Sequence, residues 1–178
     1  MVLSLRKLMQ DPAFNKKEYR RKVSCFKCER DHDIEDFIKK KCLHLEEKNL
    51  SRTYLLVEDT EEFILKGFFS IAVKAFYFSN KEDKRIIAYG REEDSFVPAY
   101  LIGQLSKCDG QPVGVGEKLL DLALQKIRDS QDIVGGRFVY LDYKKECDKL
   151  KKFYQDHRFE FLQNNPKYPQ YDQMYIIL

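Results

Sequence analysis

The chain has 178 residues, close to the usual size of one folded domain, and a formal net charge of +3. A hydrophobic share of 43%, with 11 Tyr and 13 Phe, excludes a disordered chain, while 34% charged residues predict a well-solvated surface. No apolar run approaches the roughly 20 residues of a membrane-spanning helix, and the first residues lack the apolar region of a signal peptide.

The five cysteines are odd in number and lie among many lysines. We interpret them as reduced thiols, which predicts a cytoplasmic protein. Cys25-x-x-Cys28, together with Cys42 and His44, could be drawn as a zinc site. Because Cys42 and His44 are two residues apart on a predicted helix, they point to different faces, and we expect no bound metal.

The N-terminal region carries two basic clusters, at residues 16–22 and 39–41. Acidic residues interrupt the basic residues of this region, and few aromatic residues lie among them for base stacking. We therefore favour a solvated face over an RNA-binding surface, and the RNA alternative stays open.

The first half of the chain alternates polar and apolar segments. Residues 1–18 are a candidate N-terminal arm, and residues 19–25 predict a strand. A helix opens at Asp31 and ends near Asn49, with apolar residues at spacings of three and four. Residues 53–57 and 63–73 predict two strands joined by a hairpin turn at 59–62. The polar stretch 79–94 is expected as a surface excursion that could form a lid.

The second half predicts a strand over 97–107, a helix over 117–130, a buried strand over 138–143, a further helix, and closing strands at 159–162 and 174–178. The apolar stripe of the first of these helices comprises Leu119, Leu120, Ala123, Leu124 and Ile127. This order predicts an α/β (α+β) fold over residues 1–178: one domain with a central mixed, mostly antiparallel sheet and helices on both faces.

One segment between a predicted strand and a predicted helix points to chemistry: Gln111-Pro112-Val113-Gly114-Val115-Gly116. Unpaired amide groups and the positive end of the helix dipole converge at such a place, which favours an anion. Gly114 and Gly116 lack a β-carbon, so a diphosphate could approach the backbone closely. A glycine-containing turn without a ligand is the alternative from these residues alone.

The pattern Gln111-x-x-Gly114-x-Gly116, after the strand over 100–107, resembles the acetyl-CoA signature of the GNAT superfamily of N-acetyltransferases. The resemblance implies a GNAT-like domain with acetyl-CoA as co-substrate. It also implies two groups of cofactor-binding residues. The strand residues at the pantetheine arm are Leu105, Ser106 and Lys107, and the loop residues at the pyrophosphate are Gln111, Val113, Gly114, Val115 and Gly116.

A second segment, residues 150–159, resembles the helix that ends in F-Y-E-x-x-G-F in the same family. By this resemblance, Tyr154 is the general acid that protonates the departing CoA thiolate. Helical spacing alone would make Tyr154 a core aromatic residue. Arg158 stands where the family has glycine, and Gln155 where it often has an acidic residue.

The acceptor of the acetyl group stays open. Phe26-x-Cys28 followed by residues 33–37 resembles the branch that includes the tRNA-acetylating toxins of toxin–antitoxin pairs, although Glu29 replaces a glycine. The alternatives are an N-acetyltransferase for a small amine, a protein lysine or a protein N-terminus; a toxin that acetylates charged tRNA and has an antitoxin partner; and a non-catalytic CoA-binding module.

Two further questions follow from the implied chemistry. An attacking ammonium must lose a proton, and the carboxylates considered as its base are Glu62, Glu92, Glu93, Asp94 and Asp142. A homodimer is a further expectation, because an aromatic residue among positions 76–78 could serve an interface or the core.

Overall fold

Seven strands form one mixed sheet in the order β1-β2-β3-β4-β5-β7-β6. The computed structural model describes residues 1–60, 62–89 and 93–178. The strands are β1 (Val2–Ser4), β2 (Arg52–Val57), β3 (Leu65–Phe76), β4 (Val97–Lys107), β5 (Phe138–Lys144), β6 (Glu160–Asn164) and β7 (Tyr171–Ile177). The pairs β1–β2, β2–β3, β5–β7 and β6–β7 are antiparallel, and β4 pairs with β5 in parallel. The expected mixed, mostly antiparallel sheet is confirmed.

The helices are α1 (Leu5–Gln10), α2 (Lys16–Val23), α3 (His32–Asp36), α4 (Cys42–Glu47), α5 (Lys81–Ala88), α6 (Val115–Val134) and α7 (Asp148–Asp156). A π-helical segment, Phe37–Lys41, joins α3 to α4. Among the described residues, no helix is both long and apolar enough to cross a membrane.

The chain divides into two compact units. The first comprises Met1–Ala72 and Gln104–Lys126, and the second comprises Val73–Gly103 and Ile127–Leu178. In the first unit, the buried ring of Phe68 packs edge-on to Phe26 at 5.3 Å and stacks on Phe37 at 5.9 Å between ring centroids. Each unit therefore has its own apolar core, which we describe separately.

In the second unit, Phe76 makes edge-on ring contacts with Tyr140 at 4.6 Å and with Phe138 at 5.0 Å. Val97 and Ala99 of β4 complete this buried cluster. Aromatic packing between neighbouring strands thus supplies much of the apolar burial in the second unit.

The strand expected over residues 19–25 is wrong, because α2 occupies this part of the chain. The Asn15 side chain caps the helix by accepting hydrogen bonds from the amides of Lys17 and Glu18. Tyr19 and Val23, four residues apart, then lie on one buried face. Local capping and this i, i+4 pair define a helix where the apolar residues alone suggested a strand.

The first 18 residues, expected as an arm, contain β1, α1 and the start of α2. β1 pairs with β2 in the register Leu3↔Leu55, and Leu5 is fully buried. Backbone pairing and apolar burial hold this segment on the first unit.

Other expected elements are confirmed, some with shifted ends. The Glu58 amide donates to the Ile64 carbonyl at 2.9 Å and closes the β2–β3 hairpin. Glu61, part of the turn predicted at 59–62, lies outside the described residues. The predicted helix from Asp31 to Asn49 is present as α3, the π-helical segment and α4. Within the surface excursion, Asn80 caps α5, and residues 90–92 lie outside the described part of the chain.

Glu46 connects α4 to β2 inside the first unit. Its side chain is fully buried, with one carboxylate oxygen accepting from the Thr53 amide at 2.5 Å and the other from Arg52 at 3.2 Å. We expect Glu46→Ala to lower the free energy of unfolding by about 2 kcal/mol, because a buried amide loses its partner. Urea denaturation measures this change.

Glu47→Ala is the matched control for Glu46→Ala. Glu47 is the next residue on the same helix, but it is exposed and forms its ion pair with the exposed Lys16. Its removal is expected to change stability by less than about 0.5 kcal/mol. Equal losses in the two variants would contradict the assigned role of Glu46.

Candidate functional site

The segment from Gln111 to Gly116 follows β4 in the first unit, as predicted, with a loop through Gly114 and the first two residues of α6. β4 ends at Lys107, and α6 begins at Val115. Gly114, immediately before the helix, has φ +92°, a conformation that residues with a β-carbon rarely adopt. A β-carbon built at Gly114 would meet no atom within 4 Å, so the space outside the loop is open to a ligand.

The start of α6 presents backbone donors beside this open space. The first helical hydrogen bond runs from the Lys118 amide to the Gly114 carbonyl at 2.9 Å. The amides of Val115, Gly116 and Glu117 precede that bond and have no partner in the helical ladder. Since α6 is 20 residues long, its dipole adds positive potential at this end. The chemistry of this set favours an anion with several oxygen atoms.

Lys107 supports the loop from the end of β4. Its Nζ donates to the carbonyls of Gln111 at 2.6 Å and Pro112 at 3.2 Å. The lysine therefore fixes the loop conformation and also places a positive charge beside it. The resemblance assigned Lys107 only to the pantetheine arm and did not predict these two hydrogen bonds.

The first turns of α6 line a depression of about 540 Å³ next to the loop. Its lining residues are Gly114, Glu117, Lys118, Asp121, Leu122 and Gln125. Lys118 supplies a cation at this depression. The sequence pattern assigned no role to Lys118, although its place in the first helical turn could have suggested one.

Two other loop residues differ in exposure. The Val113 side chain is 97% exposed, so this part of the loop is open to solvent. Gln111 is partly buried, and its amide donates to the Cys108 carbonyl at 3.3 Å. The loop is thus anchored at Gln111 and open at Val113.

The strand residues assigned to the pantetheine arm lie at the end of β4. Leu105 and Ser106 are half-buried, and the Ser106 hydroxyl donates to the Lys107 carbonyl at 3.1 Å. The Ser106 hydroxyl also lies 3.5 Å from the Cys28 thiol. The first unit thus brings all eight predicted cofactor-binding residues together.

Gly67 of β3 allows close packing behind this strand. A β-carbon at Gly67 would lie 2.8 Å from the Ser106 carbonyl oxygen, 3.1 Å from the Lys107 Cα and 2.7 Å from a methyl group of Leu119. These distances are too short for any side chain without backbone movement. Sequence reasoning missed this role, although an isolated glycine in a strand is a known sign of close backbone approach.

Tyr154 lies on α7 in the second unit and is 7% exposed. Its ring packs edge-on to Phe153 at 5.2 Å and Phe159 at 5.8 Å. Burial, with a smaller contribution from the Cys147 thiol, raises the pKa of Tyr154 to about 12. In the described part of the chain no group hydrogen-bonds the Tyr154 hydroxyl. At neutral pH it is therefore a protonated donor, available to a ligand.

Arg158 ends the turn after α7 with φ +67°, the left-handed conformation that glycine adopts most readily. Its amide donates to the Gln155 carbonyl at 2.9 Å, and the Phe159 amide donates to the Tyr154 carbonyl at 3.0 Å. The position at which the resemblance expected glycine thus has a left-handed backbone with an arginine side chain.

Among the carboxylates considered as bases, Asp142 of β5 has the most defined setting. Its Oδ1 accepts from Asn165 at 2.9 Å and from Gln173 at 2.8 Å. Glu62 and Glu93 are exposed, Asp94 is half-buried, and Glu92 lies outside the described residues.

The cysteines and histidines form no metal centre in the described residues, where no three potential ligands cluster. All five cysteines are free thiols. The Cys42 thiol donates to the Ile38 carbonyl at 3.0 Å and also contacts the Tyr19 hydroxyl at 3.3 Å. Cys42 thus has protein partners within the core.

No protein-family model and no curated protein matches the sequence. The chain nevertheless resembles solved structures. AtaT in complex with acetyl-methionyl-tRNAfMet aligns with a TM-score of 0.70 at 15% identity, over 99% of this chain and 94% of that chain. A Tyr→Phe mutant of KacT aligns with a TM-score of 0.69 at 18% identity, over 87% and 86%. The chain has the AtaT fold.

The AtaT fold accounts for nearly the whole chain, since the AtaT alignment covers 99% of it. A structure described as a bacterial toxin aligns equally widely, with a TM-score of 0.74 at 17% identity, over 99% of this chain and 90% of that chain. The expected α/β fold class is therefore confirmed. AtaT structures also include the toxin bound to the C-terminus of the antitoxin AtaR and acetyl-CoA.

Proposed function

We propose that this chain is a single-domain N-acetyltransferase that transfers an acetyl group from acetyl-CoA to the amino group of an aminoacyl-tRNA. The observation that carries the proposal is the open loop at Gly114, which combines a left-handed glycine, the start of a 20-residue helix and the Lys107 side chain. This set of donors fits a pyrophosphate.

The cofactor roles follow from the chemistry of the first unit. Gly114, Val115 and Gly116, with the backbones of Gln111 and Val113, bind the pyrophosphate oxygens through amide groups. In β4, Leu105, Ser106 and Lys107 offer backbone groups to the pantetheine arm, and the side chains of Leu105 and Ser106 are half-buried. When bound, acetyl-CoA supplies the activated acetyl group.

Tyr154 acts as general acid in this proposal. The substrate amine attacks the acetyl carbonyl, a C–N bond forms, and the C–S bond to CoA breaks. The Tyr154 hydroxyl donates its proton to the departing thiolate sulfur, a role that its raised pKa permits over the whole neutral range. The proton released by the amine passes to water or to a carboxylate such as Asp142.

The acceptor is proposed from the structural neighbours. AtaT has been solved with acetyl-methionyl-tRNAfMet and, separately, with acetyl-CoA and the C-terminus of the antitoxin AtaR. Both AtaT and KacT have also been solved as Tyr→Phe mutants, which supports the proposal of a tyrosine as a catalytic residue. We infer a cytoplasmic toxin that binds charged tRNA and an antitoxin. A small amine remains the second candidate acceptor.

The proposal predicts acetyl transfer to charged tRNA. Purified protein with radiolabelled acetyl-CoA is expected to label aminoacyl-tRNA and to leave deacylated tRNA unlabelled. Mild alkaline hydrolysis should then release the label as an N-acetylated amino acid, because the ester to the tRNA is broken. Labelling of a small amine alone would favour the second candidate, and no labelling of any acceptor would reject the enzyme.

A further inference from the structure

The outward face of α2 is strongly basic. Because Tyr19 and Val23 are buried, the opposite side of the helix faces solvent. That side carries Lys17, Arg20 and Arg21, all exposed. Three cations thus lie on one face of two helical turns.

The other cations of α2 are already paired at its sides. Lys22 forms an ion pair with Glu18 at 2.9 Å, and Lys16 forms an ion pair with Glu47 of α4. In the described part of the chain, by contrast, none of the three outward side chains of α2 forms an ion pair. Their charges are therefore available to a ligand.

α4 adds a second basic row. Lys41 and Lys48 flank this helix and are exposed, and no ion pair within the described residues uses either of them. A hydrogen bond from Lys16, together with the weaker fields of His44 and Lys48, lowers the pKa of Glu47. The ion pair between Lys16 and Glu47 thus brings the charged residues of α2 and α4 close together.

The acidic residues of α2 and α4 do not cancel the outward charge, because each of them pairs with its own cation. Glu18 pairs with Lys22, Asp36 with Lys40, Glu46 with Arg52 and Glu47 with Lys16, while Glu35 pairs with Lys39 at 2.7 Å. The unpaired residues Lys17, Arg20, Arg21, Lys41 and Lys48 define what we term the basic surface.

We propose that the basic surface binds the phosphate backbone of the tRNA substrate, away from the aminoacyl end that reacts. The inference rests on the proposed function and extends it. Lys17 to Arg21 spans about 6 Å along α2, and packed helices lie about 8–10 Å apart, so the surface can contact several phosphates.

The composition of the surface favours RNA over an acidic protein segment. Along the exposed side of α2 the residues are Lys17, Arg20, Arg21 and Ser24, with no aromatic or large apolar side chain among them. Protein interfaces depend on aromatic and apolar anchors at their centre, whereas phosphate contacts use Lys, Arg and Ser side chains. Lacking a stacking residue, the surface contacts the backbone without reading bases.

The test compares tRNA binding by two triple variants that have the same change in net charge. Lys17→Glu, Arg20→Glu, Arg21→Glu alters the basic surface, and Lys74→Glu, Lys81→Glu, Arg85→Glu alters exposed cations of the second unit. Binding of fluorescently labelled, deacylated tRNA is measured by anisotropy at several salt concentrations. This readout requires no enzymatic activity.

The surface variant is expected to bind tRNA about tenfold or more weakly, and its slope of log K against log[salt] should fall by about 2–3, since each phosphate contact contributes about 0.7–0.9. The control variant should keep the wild-type slope. Unchanged binding by the surface variant, or equal losses in both variants, would overturn the proposal. So would loss of antitoxin binding with tRNA binding intact, because the surface would then belong to an acidic protein partner.

A kinetic comparison separates this inference from the proposed function. The surface variant should lose kcat/KM for aminoacyl-tRNA and retain it for an aminoacylated CCA trinucleotide, which lacks the tRNA body. An equal loss on both substrates would contradict a role in binding the body. If the wild type acetylates neither substrate, the proposed function fails, while the anisotropy result still decides whether the basic surface binds tRNA.

Discussion

Tyr154→Phe is expected to lower turnover about 100-fold or more while leaving acetyl-CoA affinity nearly unchanged. The substitution removes only the hydroxyl that donates a proton to the thiolate, and general acids of this kind contribute about 10²–10⁴ in rate. The packing against Phe153 and Phe159 is kept, because phenylalanine has the same ring. Single-turnover kinetics with aminoacyl-tRNA, together with calorimetric titration of acetyl-CoA, measure the two quantities.

The pH profile provides a second check on Tyr154. Burial raises the pKa of this phenol to about 12, above its ordinary value of 10, so the donor form persists as pH rises and is lost only near the raised pKa. Wild-type turnover should therefore show no loss from a phenol between pH 8 and about 10. Phe153→Leu is a control on the same helix that keeps the hydroxyl. Turnover of Tyr154→Phe equal to that of the wild type would remove Tyr154 from the mechanism.

Gly114→Glu is expected to abolish the stabilisation of the protein by acetyl-CoA. At about 100 times its dissociation constant the ligand should add about 2.7 kcal/mol to the wild type, which appears as a higher unfolding temperature. A glutamate at Gly114 would fill the open space outside the loop and repel the pyrophosphate. Thermal unfolding with and without acetyl-CoA measures the effect.

The matched control for Gly114→Glu is Gly135→Glu. Gly135 also has a positive φ, +74°, and a β-carbon there would also meet no atom within 4 Å. Both variants thus carry similar backbone strain and the same added charge, but only one alters the loop before α6. Gly135→Glu should keep the full ligand-induced shift. A shift retained by Gly114→Glu would mean that the loop does not bind the cofactor.

Strongly periodic elements could be predicted from the sequence. The expected strand over residues 97–107 matches β4, and the apolar stripe of α6, including Leu119 and Ile127, is buried as predicted. The spacing of Gly114 and Gly116 also predicted the loop between β4 and α6. In these segments local pattern and tertiary burial favour the same structure.

Other features depend on information that a residue pattern does not carry. In α2 the choice of helix over strand came from the Asn15 cap and from burial of Tyr19 against α4, a tertiary contact. The π-helical segment at Phe37–Lys41 has no clear signature in its residues. Lys107 was expected on β4, but its hydrogen bonds to Gln111 and Pro112 require the folded loop.

Gly67 links the proposed cofactor site to a position that no ligand would touch. Any larger residue there would push against both the β4 backbone at Ser106 and the side chain of Leu119, so the pantetheine strand and the first turns of α6 would move together. The site is therefore sensitive to mutation at a position that does not line it. In laboratory evolution of this chain, position 67 should stay fixed even as the residues around the acceptor diversify.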